Sequence, residues 1–97
     1  MKEFRKHNSK KGGGHPAYIY RKEGDKYIYI GLTHSSISQG VKNIKLNVNP
    51  NPNDLKDSYV KPKPDKDKKS TFGKREKGWK FDSSDEEIIE KIKKNEN

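Results

Sequence analysis

Two histidines, His15 and His34, close the ends of the stretch HPAYIYRKEGDKYIYIGLTH, which reads outward from Gly24-Asp25 as a near mirror image. Two imidazoles that titrate near neutrality can serve as base and acid in one step. Thr33 and Ser35 flank His34 and offer hydroxyls to a phosphate. These residue types fit cleavage of RNA, which carries its own nucleophile, the 2′-hydroxyl. That reaction asks for a proton acceptor, a proton donor, and cations or donors for the charge that builds on the phosphorus oxygens. It requires neither metal nor cofactor, and none is expected. The plainer reading of the same residues is two imidazoles at a polar strand end. His7, further toward the N-terminus, is given no role.

A hairpin has to position these groups. Residues 17–22 and 26–33 alternate apolar and polar around Gly24-Asp25, and glycine accepts the positive φ that a two-residue turn needs at its first central position. That turn pairs Glu23 with Lys26, Lys22 with Tyr27 and Tyr20 with Tyr29, and carries the ladder out to His15 and His34. One face then holds Tyr18, Tyr20, Tyr27 and Tyr29 with Lys22, while Ala17, Ile19, Ile28, Ile30 and Leu32 share the other. Four phenol rings on one face form a platform on which bases stack, at about 1–3 kcal/mol each. Arg21 and Lys22 would hold phosphate there. Cross-strand tyrosines also stabilise hairpins on their own account, so the platform competes with a purely structural role.

The rest of the chain supplies the frame. With 97 residues, 26% hydrophobic, the chain has room for one small domain. Residues 1–14, which include Lys10 and Lys11 and end in Gly-Gly-Gly, read as a flexible basic arm. Residues 15–94 read as the domain and 95–97 as a disordered tail. VKNIKLNV (41–48) predicts a third strand and Tyr59-Val60 a fourth; 61–70 reads as an exposed loop. TFGKREKGWKF (71–81) predicts a last hairpin. Ser83-x-x-Glu86 reads as a capping box opening a helix with Ile88, Ile89 and Ile92 on one stripe. Strands separated by turns, then one helix, predict a mainly β protein, a small SH3-like antiparallel barrel with a C-terminal helix.

Charge names the expected partner. The formal net charge is +9, made of +6 over residues 1–22, zero over 23–60, +6 over 61–80 and −3 over 81–97. Two basic segments flanking a neutral aromatic core, the second including Lys74 and Arg75, form an electrostatic footprint for a polyanion. A nucleic acid is therefore the expected partner, and the chemistry offered by the two histidines makes it RNA. No basic amphipathic helix and no apolar run of membrane length accompanies the charge, so a membrane is not expected. The absence of cysteine and of an apolar leader segment fits a cytoplasmic address.

The segments HPAYIY, YIYIGLTHS, DSYVKP, FGK and WKFDSSDEEIIEKIKK resemble the MazF/PemK-type toxin ribonucleases and their ToxN/AbiQ relatives over about residues 15–94. In that resemblance His15-Pro16 takes the place of an Arg-Pro step, and Thr33 that of the catalytic threonine. It implies a metal-independent endoribonuclease with an antitoxin partner and a homodimeric assembly. The YIY and YIG tripeptides also resemble the opening strands of GIY-YIG nucleases, but residues 34–56 contain neither the arginine nor the glutamate of that chemistry. Two other readings stay open: a basic nucleic-acid-binding module without catalysis, and a small mobile-element accessory protein that binds another protein.

Overall fold

A computed structural model describes residues 2–8 and 14–96. Among these residues nine strands, β1 (Glu3–His7), β2 (His15–Glu23), β3 (Lys26–Thr33), β4 (Ile37–Ser38), β5 (Val41–Lys42), β6 (Ile44–Lys45), β7 (Tyr59–Val60), β8 (Asp65–Lys68) and β9 (Phe72–Glu76), precede one α-helix, α1 (Glu86–Lys93). The main sheet runs β6-β7-β3-β2-β1-β9 with β8 also on β3, and its pairings are antiparallel; β4 and β5 form a separate hairpin. The protein is mainly β with a C-terminal helix, as the sequence predicts. Among the described residues the strand pairings leave the sheet open rather than closed into a barrel.

The Gly24-Asp25 reversal forms as expected, with Gly24 at φ 61° and Glu23 opposite Lys26. Beyond it the register departs from expectation. Lys22 faces Tyr27 and Arg21 faces Ile28, but a bulge then shifts the ladder by one, so that Ile19 faces Tyr29 and Tyr18 faces Ile30. One extra residue in a strand sends the side chains beyond it to the opposite face. The four tyrosines are therefore divided. Tyr18 and Tyr20 join Ile30, Leu32, Leu46, Val60, Ile89 and Ile92 in the core that α1 covers. Tyr27 and Tyr29 join Ala17, Ile19 and Phe72 on the other side of the sheet.

The N-terminal segment is a strand at its start, not an arm. β1 lies between β2 and β9, with Phe4 opposite Tyr18 and His7 opposite His15. Phe4 is 3% exposed, and its ring meets Tyr18 at 5.1 Å, Phe81 at 5.0 Å and Trp79 at 5.7 Å. Burying such a ring contributes roughly 1.5–3 kcal/mol and helps to hold a strand whose other residues, Glu3, Arg5, Lys6 and His7, are all polar. Alternation turns Glu3, Arg5 and His7 to the second face, where Arg5 Nη1–H donates to Gly73 O (3.0 Å).

Further expectations change: residues 41–48, read as one strand, divide into β5 on β4 and β6 on β7, and Glu96, in the expected tail, accepts from Tyr20 Oη–H. Residues 65–68, read as loop, pair with the first half of β3 as β8. Phe72–Glu76 pairs with β1 instead of forming a local hairpin. The helix begins where it was expected, but with different chemistry: Asp82 caps the preceding 3₁₀ turn by accepting from Ser84 N–H (3.0 Å). Asp85, fully buried, accepts from the backbone N–H of Asn47 (2.8 Å) and Val48 (3.1 Å) and so ties α1 to the chain leaving β6.

Candidate functional site

The open ends of β2 and β3, the 49–58 loop and Trp79 enclose a cleft of about 190 Å³ lined by Gly14, His15, Pro16, Leu32, Thr33, His34, Asn49, Asp54, Ser58 and Trp79. Three of the four expected catalytic residues, His15, Thr33 and His34, line it. The bulge changes how they meet: the Ala17–Gly31 pairing, continued by two residues, sets His15 opposite Thr33 rather than opposite His34. Ser35 is not in the lining; its backbone N–H donates to Thr33 Oγ1 (3.2 Å) and shapes the turn instead.

The cleft also holds a group that sequence reading passed over. His34 Nε2 lies 2.8 Å from Asp54 Oδ2. A carboxylate only accepts, so Nε2–H is the donor, and in the neutral ring the lone pair lies on Nδ1. Asp54 is itself fixed, since Oδ1 accepts from Lys56 N–H (3.0 Å). That backbone bond and the His34 bond hold its carboxyl below the ordinary carboxylate value. The imidazole remains half open to solvent, 53% by side chain. Asp54 sits in NPNPND, where the prolines and asparagines announce only a turn; nothing in its spacing links it to His34, twenty residues earlier. Ser58, at 5% exposure, and Trp79 complete the wall.

The expected phosphate ligands lie elsewhere. Arg21 and Lys22 stand beside the hairpin turn, six and seven residues up β2 from His15, about 20 Å along a strand. Arg21 is engaged by Glu96 and by Glu23 (3.6 Å), and Tyr20 Oη–H donates to Glu96 (3.0 Å). Burial first, and then the Glu96 carboxylate, push the Tyr20 hydroxyl well above the usual phenol value. Tyr18 is 7% exposed and edge-on to Phe81, closed to a stacking base. Tyr27 packs on Phe72 (5.3 Å) with Arg5 and Lys69 over its ring at 5.9 and 5.7 Å. Lys74 and Arg75 are exposed on β9, Arg75 reaching Glu3 (3.7 Å). Lys10 and Lys11 lie outside the described residues. The four-ring platform is thus overturned by one bulge, and the basic groups are dispersed.

The second face gathers a different polar set. His7 Nε2 lies 3.0 Å from Asp67 Oδ2 and 3.3 Å from Tyr29 Oη, with the imidazole stacked on Tyr29 (5.0 Å) and edge-on to Phe72 (5.1 Å). Its side chain is 16% exposed. Burial, then the charges of Asp65 and Asp67, raise the Tyr29 hydroxyl far above its usual value. The bond from His7, with the Lys68 N–H, lowers Asp67. Among the described residues no three His, Asp or Glu side chains are grouped to hold a metal ion, and no helix is long and apolar enough to cross a membrane. Comparison with protein-family models gave no match, and neither a search of curated proteins nor one of solved structures returned a significant match.

Proposed function

We propose that this protein binds RNA and cuts it in the His15–His34 cleft without a metal ion. The observation that carries the reading is the His34–Asp54 pair, a half-exposed imidazole oriented by a fixed carboxylate on the wall of a cleft that His15 also lines. An oriented imidazole with its lone pair on Nδ1 suits removal of a proton from a 2′-hydroxyl. The alkoxide attacks the neighbouring phosphorus, the P–O5′ bond breaks, and the second imidazole, entering protonated, delivers its proton to the departing 5′-oxygen. The products are a 2′,3′-cyclic phosphate and a 5′-hydroxyl, and no redox or external reagent is consumed. Thr33 and Ser58 hydroxyls lie at hand to donate to the phosphorane oxygens. The net charge of +9 supports sequence-independent attraction to the backbone, weakening with salt. The resemblance to the toxin ribonucleases implies metal-independent cleavage of RNA; the exchange of protons between two imidazoles is read from His15 and His34, since His15 stands where that family has an arginine.

The test is end-labelled RNA incubated with the protein in EDTA, followed by analysis of the new ends. Wild type is expected to give cyclic phosphate ends, and His15→Ala and His34→Ala each to slow the reaction by about 10²–10⁴-fold. Binding without cleavage by the wild type would leave only a nucleic-acid-binding module, and the catalytic reading would be lost.

A further inference from the structure

We infer that Trp79 is the base-binding wall of this cleft, and that the site takes an unpaired nucleobase by stacking, with little discrimination among bases. The inference rests on the cleft being an RNA site and adds which part of the RNA enters it and in what state. Trp79 is the single tryptophan of the chain. It is partly buried, packed against Phe4 (5.7 Å) in the helix-side core, and also lines the cleft with His15, Thr33 and His34. The backbone on either side of Trp79 is set: Gly78 turns the chain at φ 81°, and Lys80 N–H donates to Pro50 O (3.3 Å) in the loop that carries Asp54. A large flat ring fixed on one side and open to a cleft on the other is what a base needs to stack.

The tolerance for different bases follows from stacking, and the amide in the lining is partly engaged already. Asn49, the one side-chain amide in the lining, turns one Nδ2–H to Lys56 O (3.0 Å) and accepts at Oδ1 from Asn51 N–H (2.9 Å), so half of its hydrogen-bonding capacity goes to its own loop. Stacking is sequence-tolerant because every base has a π-face. A base paired within an A-form helix is already stacked and cannot turn onto the indole, so the substrate is single-stranded RNA or a loop. This subsite replaces the tyrosine platform that the bulge dismantles.

The experiment is tryptophan emission of the intact protein titrated with a single-stranded 2′-O-methyl RNA oligomer, which lacks the nucleophile and cannot be cut. The same oligomer as a duplex, and inorganic polyphosphate, serve as comparisons. Emission is expected to fall to saturation with the single strand and to stay level with polyphosphate. Trp79→Leu should weaken binding of the single strand about tenfold, while Trp79→Phe restores most of it. Emission unmoved while anisotropy reports binding, or equal quenching by polyphosphate, would overturn the inference; if Trp79→Leu does not fold, the wild-type emission alone decides. Cleavage of unmodified RNA is measured alongside. Cleavage with silent emission removes only the Trp79 subsite, whereas quenching without cleavage supports the subsite and removes only the catalytic reading.

Discussion

The protein contains the same pair twice, in opposite settings. At the cleft, His34 Nε2 meets Asp54 Oδ2 at 2.8 Å; across the sheet, His7 Nε2 meets Asp67 Oδ2 at 3.0 Å. The His34 side chain is 53% exposed, while that of His7 is 16% exposed, between Tyr29 and Phe72. The first imidazole faces a cleft with a second histidine; the second links β1 to β8, two strands that do not pair with each other. Distance and partner chemistry are nearly identical, so access separates the roles. A pair open to a ligand can move a proton, and a pair closed by aromatic rings holds strands together.

The contrast predicts effects of unequal size. The largest is on cleavage: His34→Ala should remove about 10²–10⁴-fold of the rate and leave the melting temperature within a degree or two. Loss of stability in that variant would move His34 to the structural side of the comparison. Next comes the N-terminal strand, where Phe4→Ala should cost about 3–5 kcal/mol in denaturant unfolding. A cost under about 1 kcal/mol would mean that β1 is dispensable, as an arm would be. His7→Ala should cost about 1–3 kcal/mol, because it empties a stacked site and leaves Asp67 and Tyr29 without their partner; cleavage per folded molecule should not change. Asp54→Asn keeps the shape and loosens the orientation of His34, so kcat should fall on the order of tenfold to a hundredfold with KM nearly constant. A shift confined to KM would make Asp54 a binding group.

The smallest effect is in pH. Asp67 is depressed below the ordinary carboxylate value of 3.8, chiefly by the His7 bond. A depressed folded value means that its contribution is fully present above that ordinary value and fades as pH falls through the lower folded one. Wild type should therefore lose stability more steeply than Asp67→Asn below about pH 4, by under ~1 kcal/mol because the carboxylate is partly open to solvent. Equal slopes for the two proteins in acid would show that the pair adds nothing to folding.

Elements specified by neighbouring residues are legible in the sequence, and those specified by distant contacts are not. Gly24-Asp25, the Tyr59-Val60 strand and the isoleucine stripe of α1 are written in neighbouring residues, and all three stand in the structure. The bulge between Ile19 and Arg21 has no glycine or proline to announce it, because the strand is redirected by what packs on either face. β1 hides behind composition: a single phenylalanine among charges, followed by glycines, looks like a linker until Tyr18, Trp79 and Phe81 surround it. β8 was hidden likewise, since DKDK has no apolar residue and is held by its ladder to β3. Within the cleft, His15, Thr33 and His34 were legible from the mirrored hairpin, whereas Asp54 and Trp79 arrive from loops that only the folded chain brings near.

One measurement sets the two imidazoles side by side: the rate of cyclic phosphate formation in EDTA, with the melting temperature of the same samples, for wild type, His34→Ala and His7→Ala. His34→Ala is expected to be as stable as wild type and nearly inert, and His7→Ala to be less stable and fully active where folded. RNA left intact by the wild type, or cut at an undiminished rate by His34→Ala, would contradict this division of roles.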